Sequence, residues 1–206
     1  MRLQWTSMGL AVLGALSLNA APAAAQELNR DRNEIQIHAG QLFGDEITNV
    51  DVSGRRPELD DDVTYGVRYA YHFSPAWGLE LSLEQSPNAV TNLAGGDVDL
   101  DLTTFDVDAV WHFASSRHWS PYVAFGAGYA SADLDRPLVG LVGGQPVSIN
   151  DDNGYTANAG IGAKYFPSRH VLIDLEARYR YIDKVLERFD DSVGTFETSI
   201  GVGWQF

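Results

Sequence analysis

The chain has no cysteine among its 206 residues and only two methionines. Disulfide frameworks, cysteine-bound zinc and thiol catalysis are therefore excluded. Basic residues are also scarce: 14 Lys and Arg stand against 28 Asp and Glu, a formal net charge of −14. That balance offers no footprint for nucleic acid, so nucleic acid is not expected as a partner. Beyond residue 25 no apolar run is long enough to cross a membrane as a helix. Yet hydrophobic residues make up 45% and charged residues only 20%, which sets the chain apart from a disordered acidic tail. What is plentiful is glycine, at 20 residues, together with 9 Tyr, 9 Phe and 5 Trp. Glycine plus aromatics, without helical runs, points to strands.

The first segment reads as an address. Arg2 supplies a positive start, Met8–Leu18 is an apolar run too short to span a bilayer, and Pro22 and Ala23-Ala24-Ala25 precede Gln26. Residues 1–25 are thus expected to be a signal peptide cut after Ala25, leaving 26–206 as one domain. A chain that leaves the cytoplasm without a membrane helix is either soluble beyond the inner membrane or held in an outer membrane as a barrel.

Alternation of residue type bears on that choice. Val63, Tyr65, Val67, Tyr69, Tyr71 and Phe73 interleave with Thr64, Gly66, Arg68, Ala70 and His72. One face is apolar and aromatic, the other small or polar, over a length sufficient for a tilted membrane crossing. The same period recurs at Phe105–Phe113, Val123–Ala130, Tyr155–Tyr165, Ile173–Tyr181 and Phe196–Phe206. Two weaker stretches, Glu34–Gly44 and Leu79–Gln85, bring the set to eight. Connections alternate too. Ser74–Gly78, Ala114–Trp119 and Phe166–His170 are short, whereas Asp45–Asp62, Ser86–Asp99, Ala132–Asn153 and Asp183–Val193 are longer and mostly acidic. Short turns at one end and long loops at the other match outer-membrane barrels, with the turns and both chain ends in the periplasm.

A soluble barrel would place its apolar face inside. Here the polar face carries the pairs Gly126/Gly128, Gly160/Gly162 and Gly201/Gly203 beside opposite charges, which suits a crowded interior. The aromatic face suits lipid. Phe73, Trp77, Trp111, Phe113, Trp119, Tyr165, Trp204 and Phe206 form an expected periplasmic girdle; Tyr65, Tyr129, Tyr155, Tyr181 and Phe196 sit toward the outer interface. The expected fold is all-β: an antiparallel eight-stranded up-and-down transmembrane β-barrel in the outer membrane of a Gram-negative bacterium.

Three segments carry a family likeness. Tyr65–Glu80 (YGVRYAYHFSPAWGLE) resembles the second strand, first turn and third strand of OmpA-like outer-membrane barrels, and Leu175–Tyr181 (LEARYRY) resembles their charged seventh strand. The ending Gly201-Val202-Gly203-Trp204-Gln205-Phe206 resembles the signal read by the outer-membrane assembly machinery, which makes Trp204 and Phe206 its candidate residues. The resemblance implies fold and location more than activity, since one scaffold hosts many functions. The chain ends at its last strand, so a peptidoglycan-binding domain is not expected.

Alternation points Arg68, Lys164, Arg178 and Arg180 inward against Glu80, Glu84, Asp106, Asp108, Asp174 and Glu176. Arg68, Glu84, Asp108, Glu176 and Arg178 are expected near mid-height. Buried charges must pair. The pairs would form either a salt-bridged plug, the favoured reading, or a gate that passes small solutes. Acidic clusters at Asp60-Asp61-Asp62, Asp97/Asp99/Asp101 and Asp151-Asp152 are either a solvated repulsive surface, again favoured, or divalent-cation ligands bridging to lipopolysaccharide. Leu138–Ile149 reads as a hairpin about Gly143-Gly144. Leu138, Val139, Leu141, Val142, Val147 and Ile149 could serve a partner strand or lie over the barrel mouth as a lid.

Enzymatic signatures are thin. His72-Phe73-Ser74 resembles the His-x-Ser element of outer-membrane lipid A deacylases, but it abuts Pro75 at a periplasmic turn, away from outer-leaflet substrate. Metal-binding histidine spacing, a G-x-S-x-G elbow and a phosphate loop are all missing. The expectation is a non-enzymatic surface barrel without cofactor or metal, embedded in bilayer and lipopolysaccharide and touching an external partner or supporting the envelope. A narrow pore is the alternative, and a lipid hydrolase a distant third.

Overall fold

The computed structural model describes residues 31–44, 58–91, 98–134, 138–142, 145–149, 152–183 and 193–206. The expected signal peptide, Asp97, Asp151 and Gly143-Gly144 lie outside the described residues. The strands are β1 (Asn33–Phe43), β2 (Glu58–Leu59), β3 (Asp62–His72), β4 (Trp77–Thr91), β5 (Val98–His112), β6 (Trp119–Leu134), β7 (Leu138–Val142), β8 (Gln145–Ile149), β9 (Asp152–Tyr165), β10 (Val171–Asp183) and β11 (Val193–Gln205). Eight of them form an antiparallel ring in the order β4-β3-β1-β11-β10-β9-β6-β5, and β5 pairs back to β4. Closure leaves no sheet edge, as a spanning β-structure requires. The short β2 continues the wall beside the top of β4, and β7–β8 is a separate hairpin.

The three periplasmic turns share one device. Ser74, Ser116 and Ser168 each accept, through the side-chain oxygen, the N–H of the residue three further on: Trp77, Trp119 and Val171, at 3.0, 3.1 and 3.2 Å. The serine hydroxyl thereby satisfies the first donor of the returning strand. The start of β1 meets Phe206 at the same level, where Phe206 N–H donates to Asn33 O at 2.9 Å and Asn33 N–H to Phe206 O at 3.2 Å.

The strands outrun their sequence-based limits at the outer end. The sequence reads as a loop over Ser86–Asp99, but Ser86 pairs with Leu102 and Asn88 with Leu100. Pro87 and the Asp99/Asp101 repeat look like loop chemistry. In fact Pro87, Asp99 and Asp101 all point outward, while Ser86, Asn88, Leu100 and Leu102 keep the inward phase. The wall is therefore tallest over β4, β5 and β6, at 15, 15 and 16 residues, against 11 for β1 and β3.

Inside and outside are inverted relative to a water-soluble barrel. Ile37, Val67, Leu83, Ile161 and Ile200 stand on the outer surface, Ile37 with 66% of its area exposed, while arginines and carboxylates line the lumen almost without exposure. So continuous an apolar exterior is stable only against lipid. Within the girdles, Trp77 stacks on Trp111 with ring centres 6.2 Å apart, and Trp119 meets Tyr165 at 4.9 Å. The outer end of the lumen departs from the sequence reading. There the inward residues include Leu42, Leu100, Leu102, Ile182 and Val193 beside Thr64, Ser86, Asn88 and Thr195, all buried, so large apolar side chains join the small and polar ones on the inward face.

A closed ion-pair lumen as candidate functional site

Cross-strand glycines make room for the charges. Asp108 stands opposite Gly126, Asp106 opposite Gly128, Arg178 opposite Gly160 and Glu176 opposite Gly162. A Cβ on Gly126 or Gly128 would run into the carboxylate of Asp108 or Asp106, and one on Gly162 would meet the Tyr122 ring at 2.5 Å. Gly126 and Gly128 are thus the seats of the charged side chains next door, and Gly162 is the seat of Tyr122.

Two arginines organise the middle. Arg68 on β3 donates through Nη1 to Glu176 Oε2 at 2.9 Å and through Nη2 to Glu84 Oε1 at 3.0 Å. Arg178 on β10 donates through Nη1 to Asp108 Oδ2 at 3.0 Å and through Nε to Glu176 Oε1 at 2.5 Å, with Glu80 Oε1 at 3.4 Å. Glu176 therefore bridges both guanidiniums. Arg68, Glu84, Asp108, Glu176 and Arg178 belong to one connected set spanning β3, β4, β5 and β10.

A second tier lies toward the outside, where Arg180 holds Glu84 at 2.6 Å, Asp106 at 2.9 Å and Glu197 at 3.5 Å. Thr156 donates to Asp106 at 2.5 Å. A third lies toward the periplasm, where Lys164 pairs with Glu34 and reaches Glu80 at 3.7 Å. Glu34 also meets His72 at 3.2 Å. The lumen is thus crossed at three heights by charge-assisted bonds.

Several members escape the sequence reading. Glu34 and Glu197 join the six inward carboxylates already named, giving eight buried acids against the four bases Arg68, Lys164, Arg178 and Arg180 among the described residues. Tyr122 is an inward aromatic with no exposure, and its hydroxyl donates to Glu176 at 2.6 Å and Asp174 at 3.0 Å. The available signal was phase, because Tyr122 shares the even-numbered face of Ala124, Gly126 and Gly128. We expect Tyr122→Phe to cost about 2 kcal/mol, the worth of a hydrogen bond to a charged group. Urea unfolding in phospholipid vesicles, followed by tryptophan fluorescence, checks this; an unchanged midpoint contradicts it.

The remaining candidates fall elsewhere. Trp204 and Phe206 point outward at the periplasmic end, and the His170 ring stacks on Trp204 at 5.2 Å and 15°. Leu138, Val139, Leu141 and Val142 lie on β7 and Val147 and Ile149 on β8, which pair in register from Leu138↔Ile149 to Val142↔Gln145. His72 and Ser74 are not brought together as a catalytic pair. His72 turns inward to Glu34, while Ser74 Oγ accepts the Trp77 N–H.

A closed eight-stranded barrel with a lipid-facing apolar band, aromatic girdles and a charged, filled lumen is a small outer-membrane barrel of a Gram-negative bacterium. The family model for the outer membrane protein beta-barrel domain matches residues 8–206, and the chain belongs to that family. Outer membrane protein PagN of Salmonella typhimurium is 31% identical over 83 residues, 40% of this chain. That match spans 34% of PagN's own length. Among solved structures, the chain resembles Neisserial surface protein A with a TM-score of 0.59 and 18% identity, over 84% of this chain and 97% of that one. It resembles OprG from Pseudomonas aeruginosa at 0.56 and 16%, over 87% and 98%. Ail of Yersinia pestis follows at 0.52 and 21%, over 84% and 99%.

Proposed function

We propose that the chain is a non-enzymatic surface barrel whose lumen is a plug and whose outer loops do the contacting. The observation that carries the reading is the mid-height section, where Arg68, Arg178, Glu80, Asp108, Glu176 and Tyr122 fill the interior with almost no exposure. Eight strands enclose about the width that side chains fill, so little of that section is left for solute. At the outer end the buried side chains of Leu42, Leu100, Leu102, Ile182 and Val193 fill further space in the lumen.

In this reading residues 1–25 are removed on export, and Trp204 and Phe206 present the strand end to the assembly machinery. The acidic outer rim faces the lipopolysaccharide layer. The β7–β8 hairpin, with Leu138, Val139, Leu141, Val142, Val147 and Ile149, is the candidate contact for an external partner. The use of Ser74 as a turn cap and of His72 as a partner of Glu34 speaks against a hydrolase at that element.

The test is single-channel recording of the folded barrel in a planar bilayer. We expect a silent barrel. Discrete, reproducible steps would overturn the plug in favour of the narrow pore, with Arg68, Glu176 and Arg178 as its selectivity residues.

A further inference from the structure

We propose that the periplasmic rim carries a headgroup site for an anionic phospholipid of the periplasmic leaflet, formed by Arg117 and His118 in one turn and Arg169 and His170 in the next. The sequence Ser-Arg-His occurs at 116–118 and again at 168–170. Both copies fall in periplasmic turns, and in both the serine caps the residue three further on, at 3.1 and 3.2 Å. The turn between β3 and β4 makes the same cap with Ser74-Pro75-Ala76, so capping alone does not call for Arg and His.

The fold sets the two copies side by side. β6 pairs with β9 from Trp119↔Tyr165 upward, and Phe166 N–H donates to His118 O at 2.8 Å, which ties the two turns together. The imidazoles lie against girdle rings: His170 stacks on Trp204, and His118 meets Tyr165 with ring centres 6.5 Å apart. Trp119, the residue after His118, is half exposed on the lipid side. Indole and phenol rings mark the headgroup level of a bilayer. The basic groups therefore stand where lipid phosphates lie.

Charge selects the lipid. Arg117 is exposed and forms no ion pair among the described residues. Arg169, with 63% of its side chain exposed, meets Asp31 at 3.8 Å, and His170 meets the same carboxylate at 3.3 Å. An exposed pair of that kind is worth little and does not withhold the guanidinium from a phosphate. With Arg32, three exposed guanidiniums at this end face one aspartate among the described side chains. The outer end is the reverse: Asp60, Asp61, Asp99 and Asp101 are exposed there, without an exposed Arg or Lys among the described residues. Arginine's planar fork suits phosphate oxygens, and a basic rim favours lipids of net negative charge. The site depends on the barrel's orientation in the membrane and not on whether the lumen conducts.

Tryptophan quenching tests the site, because Trp77, Trp111, Trp119 and Trp204 all lie at this end of the barrel. The full chain, with Trp5→Phe to silence the remaining indole, is folded into phosphatidylcholine vesicles. These contain brominated phosphatidylglycerol or, at the same fraction, brominated phosphatidylcholine. At low salt we expect the anionic lipid to associate about threefold or more strongly than the zwitterionic one, a ratio that falls as salt is raised. Arg117→Gln/Arg169→Gln should lower the ratio about twofold or more, and Asp99→Asn/Asp101→Asn at the far end should leave it unchanged. Heat-modifiable migration on a gel verifies folding, and Arg117→Gln alone serves should the double variant not fold. Equal quenching by the two lipids, a ratio unchanged in the arginine variants, or a ratio that moves with the far-end variant would each overturn the site.

Discussion

Arg178→Ala is expected to cost about 3–5 kcal/mol, the usual penalty for removing one partner of a buried ion pair. Among the described residues Arg178 is the only guanidinium paired with Asp108, and it also serves Glu176 and Glu80. Its loss leaves three carboxylates in a section with almost no exposure. Arg68 still holds Glu176 at 2.9 Å, but Glu80 keeps only Lys164 at 3.7 Å and Arg68 at 3.9 Å, and Asp108 loses its one ion pair among the described residues. The partner deletion distinguishes a network from a collection of separate bonds. In Arg178→Ala/Asp108→Ala one stranded charge disappears with its counter-ion, so the double variant should lose clearly less than the sum of the two single losses. Urea unfolding in vesicles measures all four corners of the cycle. Additive losses, or a single loss below about 1 kcal/mol, would show that Arg178 does not organise the section. The same variant should raise conductance in a planar bilayer, because the guanidinium also occupies the space it bridges.

Alternation made the barrel legible because each face obeys one rule over a whole strand. From Val63 to Phe73 the outward residues lie on the lipid-facing side, where apolar and aromatic side chains are favoured. The same rule located Arg68, Arg178 and their carboxylates on the inner face. It weakened where lipid no longer imposes it. Above the bilayer the outer face of β4 and β5 is wetted, so Pro87, Asp99 and Asp101 face outward and the strands continue unseen as strands. Leu100 and Leu102 there face inward, which reverses the pattern. On β1 the inward set Glu34, Gln36 and His38 shares its strand with an outward Gln41, which dilutes the contrast and hides Glu34 as a lumen acid. Pairing across the lumen was not legible at all. Arg68 and Glu176 are 108 positions apart, and their contact depends on how far each strand is staggered around the ring.

Gly162→Val is expected to lose about 3 kcal/mol or more, combining the cost of overpacking with that of broken bonds to charged groups. Gly162 on β9 is flanked by Glu176 on β10 and Tyr122 on β6. The Tyr122 ring lies over it so closely that a Cβ would sit 2.5 Å from its Cζ and hydroxyl oxygen and 2.7 Å from Leu175 O. The backbone oxygen cannot yield without disturbing the β9–β10 ladder, so the ring must move. Moving it withdraws the hydroxyl from Glu176 and Asp174 and opens the small cluster of Val110, Tyr122 and Ala124. Gly162→Ala should show a milder form of the same defect. A second change separates crowding from any other effect of the substitution. If the ring is what the new methyls strike, Tyr122→Ala in the Gly162→Val background should restore part of the loss, although Tyr122→Ala alone is destabilising through the cavity it leaves. Unfolding midpoints of the four proteins decide the matter. A Gly162→Val barrel as stable as the parent, or a double variant that simply adds the two losses, would mean that the glycine is not the seat of Tyr122.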